Sequence, residues 1–303
     1  MMRGLPLSFA LAGSLLGIAG CASSTERAIP TQSLWGPKIA EDHDPDPAVV
    51  EVHLDAAATE MDWQRDVLTE QWAYNAQVPG PVIEMTQGQT LRVHFTNDLS
   101  QDTTIHWHGL RIPNDMDGVP LVQEPVTADG GTFTYTFIPP DAGTFWYHPH
   151  IRTNEQVERG LNGTLVVHER DPVPVNADRV MVLDDIDLQP NGELAPFTLD
   201  DGWATSTWGR LGNTLLLNGK NVAGGPVTAR VVSGGVERWR LVNSSNARTF
   251  RVEVLGAAAR VIGRDAGLMV SPVEQDLVVV APGQRVELEV LPGDKPVELW
   301  QGM

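Results

Sequence analysis

The segment that decides the fold is GTFTYTFIPPD at residues 131–141, in which aromatic residues alternate with threonines. Successive side chains of a β-strand point to opposite faces, so this period of two predicts a strand with one apolar face. The same period recurs at residues 50–54 and 91–95, and only residues 154–159 suggest a helical turn. Short alternating runs separated by Gly, Pro, Asn and Asp predict an all-β fold of the sandwich type.

The decisive segment has a second copy, GQRVELEVLPG, at residues 283–293. A weaker echo joins GQTLRVHFTN at residues 88–97 to GGVERWRLVN at residues 234–243. A proline-bearing linker, DPVP, occupies residues 171–174 between the two halves. Self-similarity of this kind predicts two tandem copies of one β-sandwich, the second without histidines.

We therefore place the first domain at residues 48–172 and the second at residues 178–303. In the first copy, the strand at residues 144–148 is followed by a closing strand near residues 163–168. Residues 297–300 match the former strand, and the sequence contains no counterpart of the closing strand. A sandwich without that strand would leave an unpaired edge, so we expect the second domain to be incomplete.

Two His-x-His pairs, His106-Trp107-His108 and His148-Pro149-His150, hold half of the eight histidines. Residues i and i+2 of a strand share a face, so each pair presents two imidazoles in one direction. On neighbouring strands the four nitrogen ligands would converge, which suits copper, zinc, iron or nickel. We predict a metal site here, the alternative being four coincidental surface histidines.

The other four histidines lie outside the two motifs, either on the polar face of a predicted strand, at the end of a strand or before the first domain. His53 and His94 alternate with apolar residues, His168 ends the closing strand, and His43 precedes the first domain. We expect all four to be ordinary solvated histidines rather than ligands.

The N-terminus resembles an export signal. Arg3 precedes an apolar stretch from Leu5 to Ile18, which is too short to span a bilayer comfortably. The run Ile18-Ala19-Gly20-Cys21 resembles a bacterial lipobox, in which the cysteine is acylated. We predict a lipoprotein signal peptide at residues 1–21 and a flexible tether at residues 22–47, the alternative being an ordinary secretory signal.

Composition limits the partners. The chain carries 39 acidic against 21 basic residues, a formal charge of −18, and lacks the basic clusters of nucleic-acid binders. Cys21 is the only cysteine, which excludes an internal disulfide. We predict no nucleic-acid partner, and membrane attachment only through the N-terminal lipid. The expected location is the bacterial cell envelope, facing the periplasm.

Across about residues 48–303 the sequence resembles the multicopper oxidases. The matching motifs are TIHWHGL (104–110), MDGVP (116–120), GTFWYHPH (143–150) and RGLNG (159–163), with weaker matches at LNGK (217–220) and RLVNSSNAR (240–248). The resemblance implies plastocyanin-like (cupredoxin) domains, with copper and O2 as the partners of the reaction. Such enzymes oxidise metal ions or phenolic reductants and reduce O2 to water by four electrons.

The resemblance also implies roles for individual residues. His106 would bind the type 2 copper of a trinuclear cluster, and His108, His148 and His150 would bind the type 3 pair. Asp117 matches an acidic residue that helps to deliver protons to reduced oxygen. Asp117 is equally well explained as a turn residue before Gly118, because Asp-Gly favours turns.

The sequence departs from the family pattern in two respects. It has neither the His-x-x-His-x-His nor the His-Cys-His motif with which relatives complete the cluster. A blue (type 1) copper site requires a cysteine thiolate, and Cys21 lies in the export signal. We therefore expect the N-terminal portion of such an oxidase, inactive unless another C-terminal cupredoxin domain completes it. The alternatives are an exported copper-binding lipoprotein without turnover and a non-catalytic cupredoxin scaffold.

Overall fold

The structure, a computed structural model, describes residues 36–64, 67–197, 207–222, 227–229, 231, 233–294 and 297–302. The predicted signal peptide, Cys21 and the first part of the tether lie outside the described residues. Within the described residues, no helix combines the length and apolar character needed to span a bilayer.

The first domain is a sandwich of two four-stranded sheets, ordered β2-β1-β4-β6 and β3-β8-β7-β5. Its elements are β1 Val49–Asp62, β2 Leu68–Tyr74, β3 Ile83–Thr86, β4 Thr90–Asn97, β5 His106–His108, a 3-10 helix Asn114–Met116, β6 Gly131–Phe137, β7 Gly143–His148, α1 Thr153–Glu158 and β8 Gly163–His168. Helix α1 confirms the helical turn expected at residues 154–159.

The second domain has sheets ordered β11-β10-β9-β13-β18-β15-β16 and β12-β19-β14-β17. Its strands are β9 Ala177–Ile186, β10 Thr214–Leu217, β11 Lys220–Asn221, β12 Val227–Ala229, β13 Glu237–Asn243, β14 Phe250–Leu255, β15 Ala257–Arg264, β16 Leu268–Glu274, β17 Leu277–Val280, β18 Arg285–Pro292 and β19 Val297–Gly302. The all-β prediction of two tandem sandwiches is confirmed.

The internal sequence repeat corresponds to a repeated pattern of strand pairing in the two domains. Strand β4 pairs in parallel with β1 and antiparallel with β6, and β13 pairs in parallel with β9 and antiparallel with β18. The matched sequence segments therefore pair in the same way in the two domains, although β6 is the edge strand of its sheet whereas β18 lies between β13 and β15. The other sheets differ, because β8 separates β3 from β7 in the first domain whereas β12 pairs directly with β19 in the second.

Each sandwich has its own apolar core, built from the inward phase of the alternating strands. In the first domain Val52, Val93 and Phe95 point inward from β1 and β4 and are almost fully buried. Trp107 lies in the same core, 5.2 Å from the Phe137 ring and 5.7 Å from the Tyr147 ring between centroids. Trp107 therefore packs in the core, and because neighbouring residues of a strand alternate, His106 and His108 point away from it.

The segment at residues 36–47, which the sequence assigned to the tether, lies against the first domain. The backbone N–H of Ala40 donates to the carbonyl of Val82 (2.8 Å), and that of His43 donates to the carbonyl of Glu51 (2.9 Å). These two hydrogen bonds join the segment to both sheets of the sandwich. The boundary of the first domain at residue 48 stays a prediction.

A buried ion network joins the two domains. Glu287 on β18 accepts a hydrogen bond from the Thr144 hydroxyl on β7 (2.6 Å) and forms ion pairs with Arg238 and Arg240. Arg240 also forms a two-pronged pair with Asp178 on β9 (2.7 and 2.8 Å). Both Arg240 and Glu287 are buried, so the second domain fixes the strand that carries His148.

Candidate metal centre

The two His-x-His pairs meet on one sheet. Strands β5 and β7 pair antiparallel, with His106 opposite His148 and His108 opposite Trp146. Because i and i+2 share a face, His106 and His108 project to the side opposite buried Trp107. His150 follows β7 after Pro149, and its backbone N–H donates to the hydroxyl of Thr104 (3.0 Å).

The four imidazoles form a compact group. The ring centroid of His106 lies 4.2 Å from that of His150 and 5.3 Å from that of His148, and the His148–His150 distance is also 5.3 Å. His108 Nδ1 lies 3.2 Å from His148 Nε2. Two ligands of one tetrahedral metal ion at about 2.0–2.1 Å stand roughly 3.3 Å apart. The spacing of these two nitrogens therefore fits a shared ion. His106, His108 and His148 each offer one potential ligand atom, and these three atoms lie within 4.8 Å of one another.

Hydrogen bonding selects the nitrogen that two of these rings can offer. His148 Nδ1 lies 3.0 Å from the carbonyl oxygen of Pro149, and His106 Nδ1 lies 2.9 Å from that of Asp117. A carbonyl only accepts, so each Nδ1 carries the proton when the ring is neutral and Nε2 keeps its lone pair. Partners of this kind fix the tautomer and orientation of metal-binding histidines.

Burial keeps three of the four imidazoles, those of His108, His148 and His150, uncharged near neutral pH. Burial, followed by the positive charge of Arg285, lowers the pKa of His108 to about 4. Burial, followed by the charge of His106, likewise lowers the pKa of His150 to about 4. Burial also places the pKa of His148 well below its ordinary value. Neutral imidazoles are the form that binds metal ions, so the site is prepared for a cation.

Asp117 lies beside His106. It ends the 3-10 helix and precedes Gly118, whose φ of +67° belongs to the left-handed region. Its carboxylate oxygen Oδ1 lies 3.2 Å from His106 Nδ1 and has no well-aligned hydrogen bond among the described residues. Burial, partly offset by His106, raises the pKa of Asp117. The geometry is compatible both with a turn residue and with a proton-handling group.

The second domain contributes neighbours that the sequence did not reveal. Arg285 Nε donates to the carbonyl of Thr144 on β7 (2.9 Å). A side chain on Gly283 would come within 3.3 Å of His108 Cε1. Within the first domain, Trp146 lies beside His148, with ring centroids 4.1 Å apart and an interplanar angle of 30°. No motif signals the contacts of Arg285 and Gly283, since they arise only when the two domains dock.

His53 and His94 point away from the core of the first domain, as their alternation predicted. His168, predicted to be solvated, is instead largely buried, with 12% of its side chain exposed and its Nε2 3.5 Å from Glu84. His43, His53 and His94, however, are not isolated side chains: His53 has the other two rings 4.8 and 5.0 Å from its own. None of these four residues joins the group around His148.

Comparison with known protein families identifies the family to which the chain belongs. A multicopper oxidase family model matches residues 56–172, and a second matches residues 179–297. This chain belongs to the multicopper oxidase family. The resemblance read from the histidine motifs is thereby confirmed, together with the plastocyanin-like nature of the two sandwiches.

Individual relatives agree. Multicopper oxidase MmcO of Mycobacterium tuberculosis is 32% identical over 247 residues, covering 72% of this chain and 47% of that protein. Copper resistance protein A of Pseudomonas syringae pv. tomato is 29% identical over 261 residues, covering 73% of this chain and 42% of that protein. The chain thus spans about half the length of the curated relatives it matches.

Solved structures give the same result. A multicopper oxidase from Pseudomonas thermotolerans superposes with a TM-score of 0.77 at 34% identity, covering 83% of this chain and 60% of that one. A metallo-oxidase from Campylobacter jejuni has a TM-score of 0.76 at 27% identity, covering 87% and 55%. In both, as in the curated relatives, the match extends over only part of the relative's length.

The low pKa values of the cluster predict an acid-dependent loss of stability in metal-free protein. Unfolded histidines titrate near pH 6.5, whereas folded His108 and His150 titrate at about 4. Between these values the unfolded chain binds protons that the folded chain does not, so the free energy of unfolding falls as the pH falls. In urea unfolding at pH 6.5, 5.5 and 4.5, the free energy of unfolding of the His108→Gln plus His150→Gln variant should decline less than that of the wild type. An identical decline in both proteins would contradict the lowered pKa values.

Proposed function

We propose that this chain forms the N-terminal portion of a multicopper oxidase that couples oxidation of metal ions or phenolic-type reductants to four-electron reduction of O2 to water. The supporting observation is the convergence of four imidazoles, those of His106, His108, His148 and His150, beside the β5–β7 pair. A set of four nitrogen donors, with Trp146 and the second domain packed around it, fits copper. The reductants named for individual relatives belong to those proteins.

In this proposal each histidine has a defined part. His108 and His148, whose nitrogens lie 3.2 Å apart, would hold one copper of the type 3 pair, and His150 would hold the other. His106 would hold the type 2 copper and would offer Nε2, because its Nδ1 faces the carbonyl of Asp117. Bound copper supplies single-electron transfer and O2 binding. The protein holds the ligands in place, since the second domain anchors β7 through Thr144.

Asp117 serves as a proton-handling group in the same proposal. Its Oδ1 is buried, lacks a well-aligned partner among the described residues, and lies 3.2 Å from His106 Nδ1. Its raised pKa brings the carboxyl closer to the range in which it can both accept and release a proton. Reduction of O2 to water consumes four protons, so a carboxyl beside the cluster has a direct use.

Residues 1–303 contain one cysteine and eight histidines, so the remaining ligands must come from elsewhere. A type 1 site needs a thiolate with two histidines, and the trinuclear cluster needs further imidazoles. We propose that another cupredoxin domain supplies both. Export by residues 1–21 and acylation of Cys21, facing the periplasm, complete the proposal.

One observation favours a second candidate function. The four imidazoles lie together, and the one cysteine among residues 1–303 is Cys21 of the predicted signal peptide. Such a chain can bind copper without turnover, as an exported copper-binding lipoprotein. The two candidates differ in whether a completing domain restores oxygen consumption.

The test measures copper retention and oxygen uptake separately. Purified chain loaded with copper and passed through a desalting column should retain metal, and His106→Gln plus His148→Gln should lower the affinity by about a hundredfold or more. The chain alone should consume no oxygen with a phenolic reductant, and a completing cupredoxin domain should restore uptake.

His168→Gln is the matched control, because His168 lies on the same sheet outside the group and should retain wild-type copper. Equal copper affinity in the double variant and the wild type would refute the four-histidine site. Oxygen turnover by the chain alone would refute the need for a completing domain.

A further inference from the structure

A second group of histidines lies on the outer face of the β2-β1-β4-β6 sheet. Strands β1 and β4 run parallel, with His53 directly beside His94. Glu51 precedes His53 by two residues on β1, so its side chain shares that face. The apolar neighbours Val52 and Leu54 point the other way, into the core. Three potential ligands are therefore fixed by strand register rather than by a loop.

The polar atoms of this group are already close. His94 Nε2 lies 2.6 Å from Glu51 Oε1, and the rings of His53 and His94 are 5.0 Å apart with a tilt of 36°. One ligand atom from each of Glu51, His53 and His94 lie mutually within 4.8 Å. Ligands of a tetrahedral ion stand roughly 3.3 Å apart, so modest side-chain rotations suffice to bind one. His53 is exposed and His94 half-buried, which leaves room for these rotations.

His43 brings a third imidazole to the group. Its ring meets that of His53 edge-on, with centroids 4.8 Å apart at 88°. The backbone holds it there, because His43 N–H donates to the carbonyl of Glu51, and Glu51 N–H donates to Asp42 Oδ1 (2.9 Å each). A fourth ligand is thus available from a different segment of the chain.

A simple ion pair does not account for the arrangement. The Glu51–His94 contact explains two of the residues but not the positions of His43 and His53. The positive charge of Arg92 disfavours binding of a cation by Glu51, since Arg92 Nη1 lies 3.2 Å from Glu51 Oε2. The same Nη1 is 3.2 Å from Asp44 Oδ2, so a carboxylate offsets the guanidinium charge and Glu51 Oε1 stays directed towards His94.

We propose that Glu51, His53 and His94, with His43 as a fourth ligand, form a second metal site for a divalent late transition-metal ion of the Cu²⁺ or Zn²⁺ class. Imidazole and carboxylate together suit both ions, and Cu²⁺ binds the tighter of the two in a given site of this kind. The site lies on the sheet opposite the one that carries His106 and His148, so it does not depend on the proposed oxidase function.

The experiment removes the first site so that only the second is observed. In full-length His106→Gln plus His148→Gln protein, calorimetric titration with Cu²⁺, and separately with Zn²⁺, should show one saturable equivalent. Adding His53→Gln and His94→Gln should weaken that binding at least about tenfold. Adding His168→Gln instead should leave it unchanged, since His168 lies beside Glu84 on the other sheet of the sandwich. Unchanged binding after loss of His53 and His94 would overturn the proposal.

A second measurement uses the wild-type chain and does not depend on variant folding. Diethyl pyrocarbonate modifies accessible imidazoles, and mass spectrometry locates the products. Zn²⁺ at more than two equivalents, enough to fill the group around His148 as well, should protect His53 and His94 from modification, whereas Mg²⁺, which prefers oxygen ligands, should not. Equal modification with and without Zn²⁺ would show that these histidines bind no metal. Failure of the site around His148 would leave both results unaffected.

Discussion

Arg240→Met should lower the free energy of unfolding by about 3–5 kcal/mol, because it removes one member of a buried ion network. Arg240 is fully buried and pairs with Asp178 (2.7 Å) and Glu287 (3.1 Å). Burial would raise the pKa of Asp178, but the positive charge of Arg240 outweighs it and lowers that pKa. Without the guanidinium, Asp178 loses its two-pronged ion pair, and Glu287 keeps only Arg238 as an ion-pair partner in this buried interface. Urea unfolding at neutral pH measures the loss.

The matched control is Arg260→Met. Arg260 lies in the same sheet and pairs with Glu289 (2.6 Å), but 43% of its side chain is exposed. Solvent screens such pairs, so this change should cost no more than about 1 kcal/mol. A loss of similar size in both variants would show that the buried network contributes no more than a surface pair.

The same network shows what the sequence could not predict. In β13, Arg238 and Arg240 occupy the phase opposite to buried Trp239 and Leu241, which would ordinarily be a solvated face. Both arginines are buried because the first domain covers that face, as the contacts with Glu169 and Thr144 show. Period-two alternation defines which residues share a face, but it does not reveal what packs there.

The elements that could be predicted are those set by local pattern. The alternation in β4 and β6 and its repeat in β13 and β18 predicted two copies of one sandwich. In the structure, β4 pairs antiparallel with β6, and β13 pairs antiparallel with β18. The His-x-His spacing predicted which imidazoles share a face, and the register of β5 against β7 brings the two pairs together. These features depend on residues close in sequence, so pattern alone suffices.

The group at His43, His53 and His94 illustrates the opposite case. Each residue, considered singly, is a polar residue on an outward phase, and the sequence suggested ordinary solvated side chains. Their proximity depends on parallel pairing of β1 with β4 and on the path of the segment before β1. Sequence separations of ten and 41 residues carry no local signal of such a contact.

Gly118→Ala should disturb both the fold and the metal centre, because two separate costs coincide at this position. Gly118 has a φ of +67°, which costs a residue with a Cβ about 1–2 kcal/mol. The added Cβ would also lie only 2.0 Å from the carbonyl oxygen of Ile105. Backbone must shift to relieve that overlap, typically at a further 1–3 kcal/mol. We expect a total loss of about 2–5 kcal/mol in the free energy of unfolding.

The position of the overlap couples this loss to copper. Ile105 directly precedes His106, and Asp117, whose carbonyl faces His106 Nδ1, directly precedes Gly118. To relieve the contact, the backbone must shift either His106 or the Asp117 carbonyl that orients its ring. Copper affinity should therefore fall as well. Gly130→Ala separates the two costs, since Gly130 has a φ of +98° and nothing within 4 Å of the added Cβ. It should lose only the conformational part and keep wild-type copper affinity. Equal stability losses in the two variants would mean that the close approach to Ile105 carries no cost of its own.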